Sequence, residues 1–180
     1  MKRVKMKSFS FLLTIVVSLL FCIQSLAAPI IERSQCPSPQ EMAKWLEKNT
    51  CIGDNTIFYT TPANERDAEQ FSNQVDGTYY GVLIDQRMKG VNGATEDGIF
   101  WKWVDACGGT PEEENKVAHH VSQALAMMAT GPTYLMLPKE VTPKPSSFWL
   151  VDEWPILKKR GIKVTQVQPQ TFDQTPYHGP

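Results

Sequence analysis

Ten consecutive residues, Ser146-Ser147-Phe148-Trp149-Leu150-Val151-Asp152-Glu153-Trp154-Pro155, bring together two hydroxyls, three aromatic rings and adjacent carboxylates. An aromatic face can hold a flat ring or base. A carboxylate beside it can stabilise the positive charge that develops at a sugar carbon when a glycosidic bond breaks. The plain alternative is a strand end packing its aromatics while Asp152 and Glu153 stay solvated. His119 and His120 are the other residues that invite chemistry. Being adjacent on a helix they fall on different faces, so they cannot chelate one ion; they read as a solvated residue beside a boundary one. The chain has no Gly-x-Gly-x-x-Gly and no phosphate loop of the Walker type.

The elements that must position these residues alternate between strand and helix. Ser38-Pro39-Gln40-Glu41 is a capping box with proline at the first helical position, and it starts a helix over Gln40 to Asn49. Thr56 to Thr60 is a β-branched and aromatic run with the look of a buried strand. Asn64 caps a second helix to about Gln74, Asp76-Gly77 ends it, and Thr78 to Ile84 is the second strand. The glycine-punctuated stretch from Asp85 to Gly109 is irregular, with Ile99 to Trp103 alternating as a hairpin arm or covering loop.

The clearest helix follows. Thr110 caps it, Pro111 opens its first turn, three glutamates complement its dipole and Gly131 closes it. Val117, Val121, Ala124, Leu125 and Met128 form its core stripe. Thr133 to Leu137 is a third strand, a short helical turn starts near Asp152-Glu153, and Ile162 to Val167 is the last strand. Alternation of this kind predicts a single α/β domain. Its sheet is mostly parallel, of about four strands flanked by helices, a Rossmann-like layering whose ligands bind beyond the carboxyl ends of the strands. Thr60 and Leu137 mark that rim.

The chain begins with Lys2, Arg3, Lys5 and Lys7, an apolar run Phe9 to Ile23, and the small residues Ser25 to Ala28. That is the layout of a signal peptide over residues 1–27, and the run is short for a membrane span, which takes about 20 residues. The mature protein is therefore expected to be exported and extracellular, off the membrane once the signal is removed; the alternative is an uncleaved membrane anchor. Residues 1–27 hold four of the 18 basic residues and none of the 19 acids, which leaves 14 against 19, a net charge of −5. An acidic balance argues against nucleic acid or anionic membrane as the main partner. Of the three cysteines that remain, Cys36 and Cys51 bracket one short helix and are expected to pair, leaving Cys107 over. Three cysteines without suitably spaced histidines give no zinc site. The resulting division is a signal over 1–27, a disulfide-bracketed helix over 28–54, an α/β domain over 55–168 and a loose tail over 169–180.

Several local patterns fall in one order: Ile57-Phe58-Tyr59-Thr60, Asp67 to Phe71, Cys107-Gly108, Val121-Ser122 with Ala126 leading to Gly131, Thr133 to Leu137, Ser146-Ser147-Phe148 to Leu157, and Lys163 to Val167. In that order and spacing, about Asn55 to Gln168 resembles the ADP-ribosyl cyclase / cyclic ADP-ribose hydrolase family, in a short secreted form. The resemblance implies cleavage of the nicotinamide–ribose bond of NAD as substrate, with no separate cofactor and no metal. It puts the catalytic glutamate at Glu153. It puts an aromatic wall at Tyr59, and phosphate contacts at Thr60, Ser122, Ser147 and, allowing a one-residue insertion, Phe148.

Three family positions differ. The second active-site tryptophan is met by Val117-Ala118, where a one-residue slip would offer His119. The acid of a Thr-Leu-Glu-Asp motif is met by Ile84, with Asp85 beside it, and the tryptophan before the Cys-Gly pair is Ala106. Trp149, Trp154, Trp101 or Trp103 are the candidates to refill the wall. The losses favour hydrolysis over cyclisation, because cyclisation needs a tightly folded substrate. The alternative is a catalytically silent secreted binding or effector protein on the same fold.

Overall fold

Side-chain caps start the first helices. The computed structural model describes residues 36–49, 54–79, 81 and 98–180. The segment 1–27, Cys51, Ile84 and Asp85 lie outside those residues. In helix α1 (Pro39–Asn49), the Glu41 carboxylate accepts from the Ser38 N–H at 2.8 Å, and Ser38 Oγ accepts in return from the Glu41 N–H at 3.3 Å. Strand β1 (Asn55–Tyr59) follows. Helix α2 (Glu65–Val75) carries a second capping box between Asn64 and Asp67 and ends at Asp76, whose φ of 51° is left-handed. Strand β2 (Gly77–Tyr79) comes next.

Helix α3 (Gly98–Cys107) turns through Gly108 and Gly109 into α4 (Pro111–Met128). Thr110 Oγ1 accepts from the Glu113 N–H at 3.3 Å to cap α4. Strand β3 (Thr133–Met136), a π-helical turn (Trp149–Glu153), helix α5 (Trp154–Lys159), β4 (Val164–Val167) and β5 (Gln174–Tyr177) complete the order.

The five strands run β2-β1-β3-β4-β5, parallel except for β5, which pairs antiparallel with β4 at the edge. Alternate strand residues feed two cores. Phe58, Leu135 and Val164 join Met42, Leu46, Val121, Leu125, Trp149 and Leu157 on one face. Ile57, Met136 and Val167 join Ala68, Phe71 and Tyr79 on the other. From β1 the chain crosses to β2 on one side and later to β3 on the other. The carboxyl ends of β1 and β3 therefore flank the point where the strand order reverses, which is the crevice in which sheets of this kind bind ligands.

Several expectations are corrected. Ile99 to Trp103 is helix rather than hairpin or loop: Ile99, Phe100, Trp103 and Val104 are buried and Trp101 is exposed, a helical spacing that begins like alternation. Helix α4 ends at Met128, before Gly131. Gly131 has a different task, because a Cβ there would stand 2.3 Å from the Asp54 carbonyl oxygen. Cys36 is bonded to Cys107, not to Cys51. The reason is tertiary. Helix α1 packs along α4 and α3 leads into α4, with Trp45 edge-on to Trp103 at 5.7 Å, so the end of α3 meets the start of α1. A bridge spanning 71 residues contributes about 4 kcal/mol in the chain-entropy model. The tail is not loose either, since β5 lies within it. Pro176 is tolerated there because an edge strand needs only one side of its backbone paired.

Candidate active site

The π-helical turn shapes the site. Ser147 starts it: the Ser147 carbonyl accepts from the N–H groups of Leu150 and Val151, and Ser147 Oγ accepts from Leu150 N–H at 3.4 Å. The Trp154 N–H reaches back to the Trp149 carbonyl and closes the wide turn. Turns of this type are frequent at functional sites. Here it buries Trp149, Asp152 and Glu153 together, with the two acids against α4.

Glu153 is 4% exposed. Ser122 Oγ, from the buried face of α4, donates to Glu153 Oε1. Glu153 Oε2 is buried and has no hydrogen-bond partner among the described residues. Burial pushes the Glu153 carboxyl up to about 8; the Ser122 hydrogen bond opposes that rise and the Asp152 charge adds to it. The group is therefore largely protonated at neutral pH, and Oε2 offers an unused polar position to a ligand.

Asp152, the neighbouring acid, is fully engaged. Its Oδ2 lies 2.6 Å from His119 Nδ1 and its Oδ1 accepts from Gln123 Nε2 at 2.7 Å. His119 is three residues before Ser122 on α4, so the pairs His119–Asp152 and Ser122–Glu153 run side by side across one helix–turn seam. The His119 ring also meets Phe148 edge-on at 4.6 Å. Of the two histidines His119 falls nearly opposite the core stripe and so fits the solvated reading, which its pairing with Asp152 corrects. His120 is engaged too, its Nδ1 lying 2.9 Å from the Pro37 carbonyl oxygen.

Tyr59 closes β1 beside Met136 of β3. Burial holds its phenol well above the usual range, helped by the charges of Glu65 and Glu153. Glu153 thus lies within electrostatic reach of the strand end expected to face it. Thr60 follows, buried, its N–H donating to the Met136 carbonyl at 3.4 Å. Of the expected set, Ser122 and Glu153 bond directly, Tyr59 and Thr60 stand at the strand rim, Ser147 caps the turn, and Phe148 lies against His119.

The four tryptophans proposed to refill the wall do other work. Trp149 is fully buried, donates to the Tyr177 hydroxyl at 3.0 Å and contacts Phe58. Trp154 stacks on Trp149 at 5.7 Å beneath Tyr177. Trp103 is core and Trp101 is 45% exposed on α3. Ala118 packs half-buried against the core. Gln123 and Asp152 are the site residues that motif order did not supply, and His119 entered only as a one-residue slip in place of a tryptophan, not as a partner of Asp152. The available signal was the three-residue spacing of His119 and Ser122 on a helix facing a turn with consecutive acids.

A separate cavity of about 210 Å³ lies beyond β3, β4 and β5, lined by Leu137, Lys139, Gln166, Gln168, Asp173 and Thr175. It is below the size of ordinary small-molecule pockets and includes none of the seam residues. Cys36, Cys107 and Glu113 stand close enough to hold a metal ion, but the two sulfurs are bonded to each other and offer no thiolate. Among the described residues no helix is long and apolar enough to cross a membrane. Comparison of the chain with protein-family models, with curated proteins and with solved structures finds no match.

Proposed function

We propose that the protein is a secreted NAD glycohydrolase that cleaves the nicotinamide–ribose bond, with hydrolysis favoured over cyclisation. The observation that carries this reading is the buried Glu153 carboxyl, held on one oxygen by Ser122 and unpartnered on the other, within electrostatic reach of Tyr59 at the rim of a parallel sheet. A protonated carboxyl suits the ligand-free state. The pyridinium of NAD, brought close, favours its ionised form. As the C1′–N bond breaks, its electron pair leaves with nicotinamide. The Glu153 carboxylate then stabilises the oxocarbenium-like ribose until water adds. Tyr59 supplies an aromatic face, while Thr60, Ser122, Ser147 and Phe148 are the positions proposed for the rest of the dinucleotide. The basic-apolar-small layout of residues 1–27 supports export.

A second reading has its own observation. Ala118 stands where the resemblance puts a tryptophan, and Trp149 and Trp154 are committed to the aromatic core. A chain so arranged could serve as a catalytically silent binding or effector protein. Nicotinamide release by the purified mature protein, compared with Glu153→Gln, separates the two. Release that disappears in the variant supports the enzyme; no release, or equal release from both, leaves the binding protein.

A further inference from the structure

His119 has the arrangement of a held base. Its Nδ1 is 2.6 Å from Asp152 Oδ2, and the Asp152 side chain is 2% exposed against 30% for His119. Gln123 Nε2, bonded to Asp152 Oδ1 at 2.7 Å, fixes the carboxylate from its other side. Phe148, edge-on at 4.6 Å, limits the swing of the ring. With Asp152 accepting at Nδ1, the proton sits on Nδ1 and the lone pair on Nε2, and Nε2 makes no hydrogen bond among the described residues. A buried acid holding one nitrogen of a part-exposed imidazole is the pattern by which a histidine is oriented to take a proton at its other nitrogen. The same turn of α4 carries Ser122, and the residue after Asp152 is Glu153, so this base lies one helical turn along the seam from the proposed cation-stabilising carboxylate.

We propose that His119 is the general base of the water-addition step and that Asp152 and Gln123 are its positioning residues. The proposal rests on the reading of Glu153 as the group that stabilises the ribose cation. In this step a water oxygen forms the new bond to C1′ and the O–H bond breaks toward His119 Nε2. The resulting imidazolium keeps its Nδ1–H on Asp152, then releases the acquired proton to solvent from its exposed side. ADP-ribose is the product, and no oxidant, reductant or co-reactant is needed. This division of labour explains two adjacent acids with different partners. Asp152 holds the base, and Glu153 keeps one oxygen for the substrate.

Azide tests it, because that anion attacks a sugar cation without losing a proton. Nicotinamide release from NAD is followed for wild type, His119→Gln, Asp152→Asn and Glu153→Gln, with and without azide, after circular dichroism has shown each to be folded. Glutamine at 119 can still donate to Asp152. His119→Gln is expected to release nicotinamide about 10²-fold or more slowly in water, with azide restoring release and ADP-ribosyl azide appearing; Glu153→Gln is expected to stay inactive with azide. A folded His119→Gln within about twofold of wild type, or one not rescued by azide, overturns the role of His119 while leaving that of Glu153 intact. Wild type that releases no nicotinamide overturns both. If His119→Gln does not fold, Asp152→Asn decides by the same criteria: slowed and azide-rescued supports the proposal, unchanged or unrescued overturns it.

Discussion

Within one turn of chain, Trp149 and Trp154 enter an aromatic block while Asp152 and Glu153 enter a polar seam. The block is closed: Trp149, Trp154 and Tyr177 contact one another in every pairing, and the indole N–H of Trp149 is satisfied by the Tyr177 hydroxyl. The seam is buried to a similar depth but not closed, since Glu153 Oε2 has no partner among the described residues and its carboxyl is raised to about 8. Stability accounts for the first arrangement. It does not account for the second, because burying a carboxyl with one oxygen unpartnered costs free energy that an apolar side chain would not. That cost is the reason for placing function in the seam and structure in the block.

The sharpest break in the comparison comes from the block. Trp149→Ala should lose about 3–5 kcal/mol in denaturant unfolding, because the side chain is fully buried between β1 and β5. A loss below about 1 kcal/mol would mean the block is not core. The seam should respond with the opposite sign. The Glu153 pKa is raised from its ordinary 4.5 to about 8, so between those values the folded state binds more protons than the unfolded one. Its contribution is therefore fully present below about pH 4.5 and is lost as pH rises through 8. Wild type should lose stability across that window and Glu153→Gln should not, the variant gaining about 5 kcal/mol on wild type by pH 9. Parallel melting profiles for the two proteins would contradict a buried, raised Glu153.

Ser122→Ala removes the hydrogen bond to Oε1 and should cost about 1–3 kcal/mol. It should also move the wild-type loss of stability to higher pH, since that bond opposes the rise. The smallest effect is expected in the block. Tyr177→Phe keeps the ring contacts and leaves the Trp149 N–H unpaired, for about 1 kcal/mol in thermal unfolding.

Much of the scaffold is legible in the sequence because its signals are local. Ser38-Glu41, Asn64-Asp67 and Thr110 each start a helix through bonds within four residues, and the β-branched and aromatic runs at 56–59 and 133–136 form neighbouring strands. What escapes is non-local or ambiguous in period. Residues 99–103 fit a repeat of two before their burial shows a helix. Tyr177 joins the sheet opposite β4 and is held by Trp149, which lies 28 residues away in the chain. Cys36 finds Cys107 through helix packing. The site divides in the same way. Glu153 and Ser122 come from the order of motifs, but the Asp152–His119 pair spans 33 residues and needs the π-helical turn to present both acids to α4.

The central claim is that Glu153, and not the tryptophans beside it, is where chemistry occurs. Nicotinamide release from NAD by the purified mature protein and by Glu153→Gln tests it most directly. The expected result is steady release by wild type and a loss of about 10²–10³-fold or more in the variant, with both proteins folded by circular dichroism. Equal release from the two, or none from wild type, would contradict it.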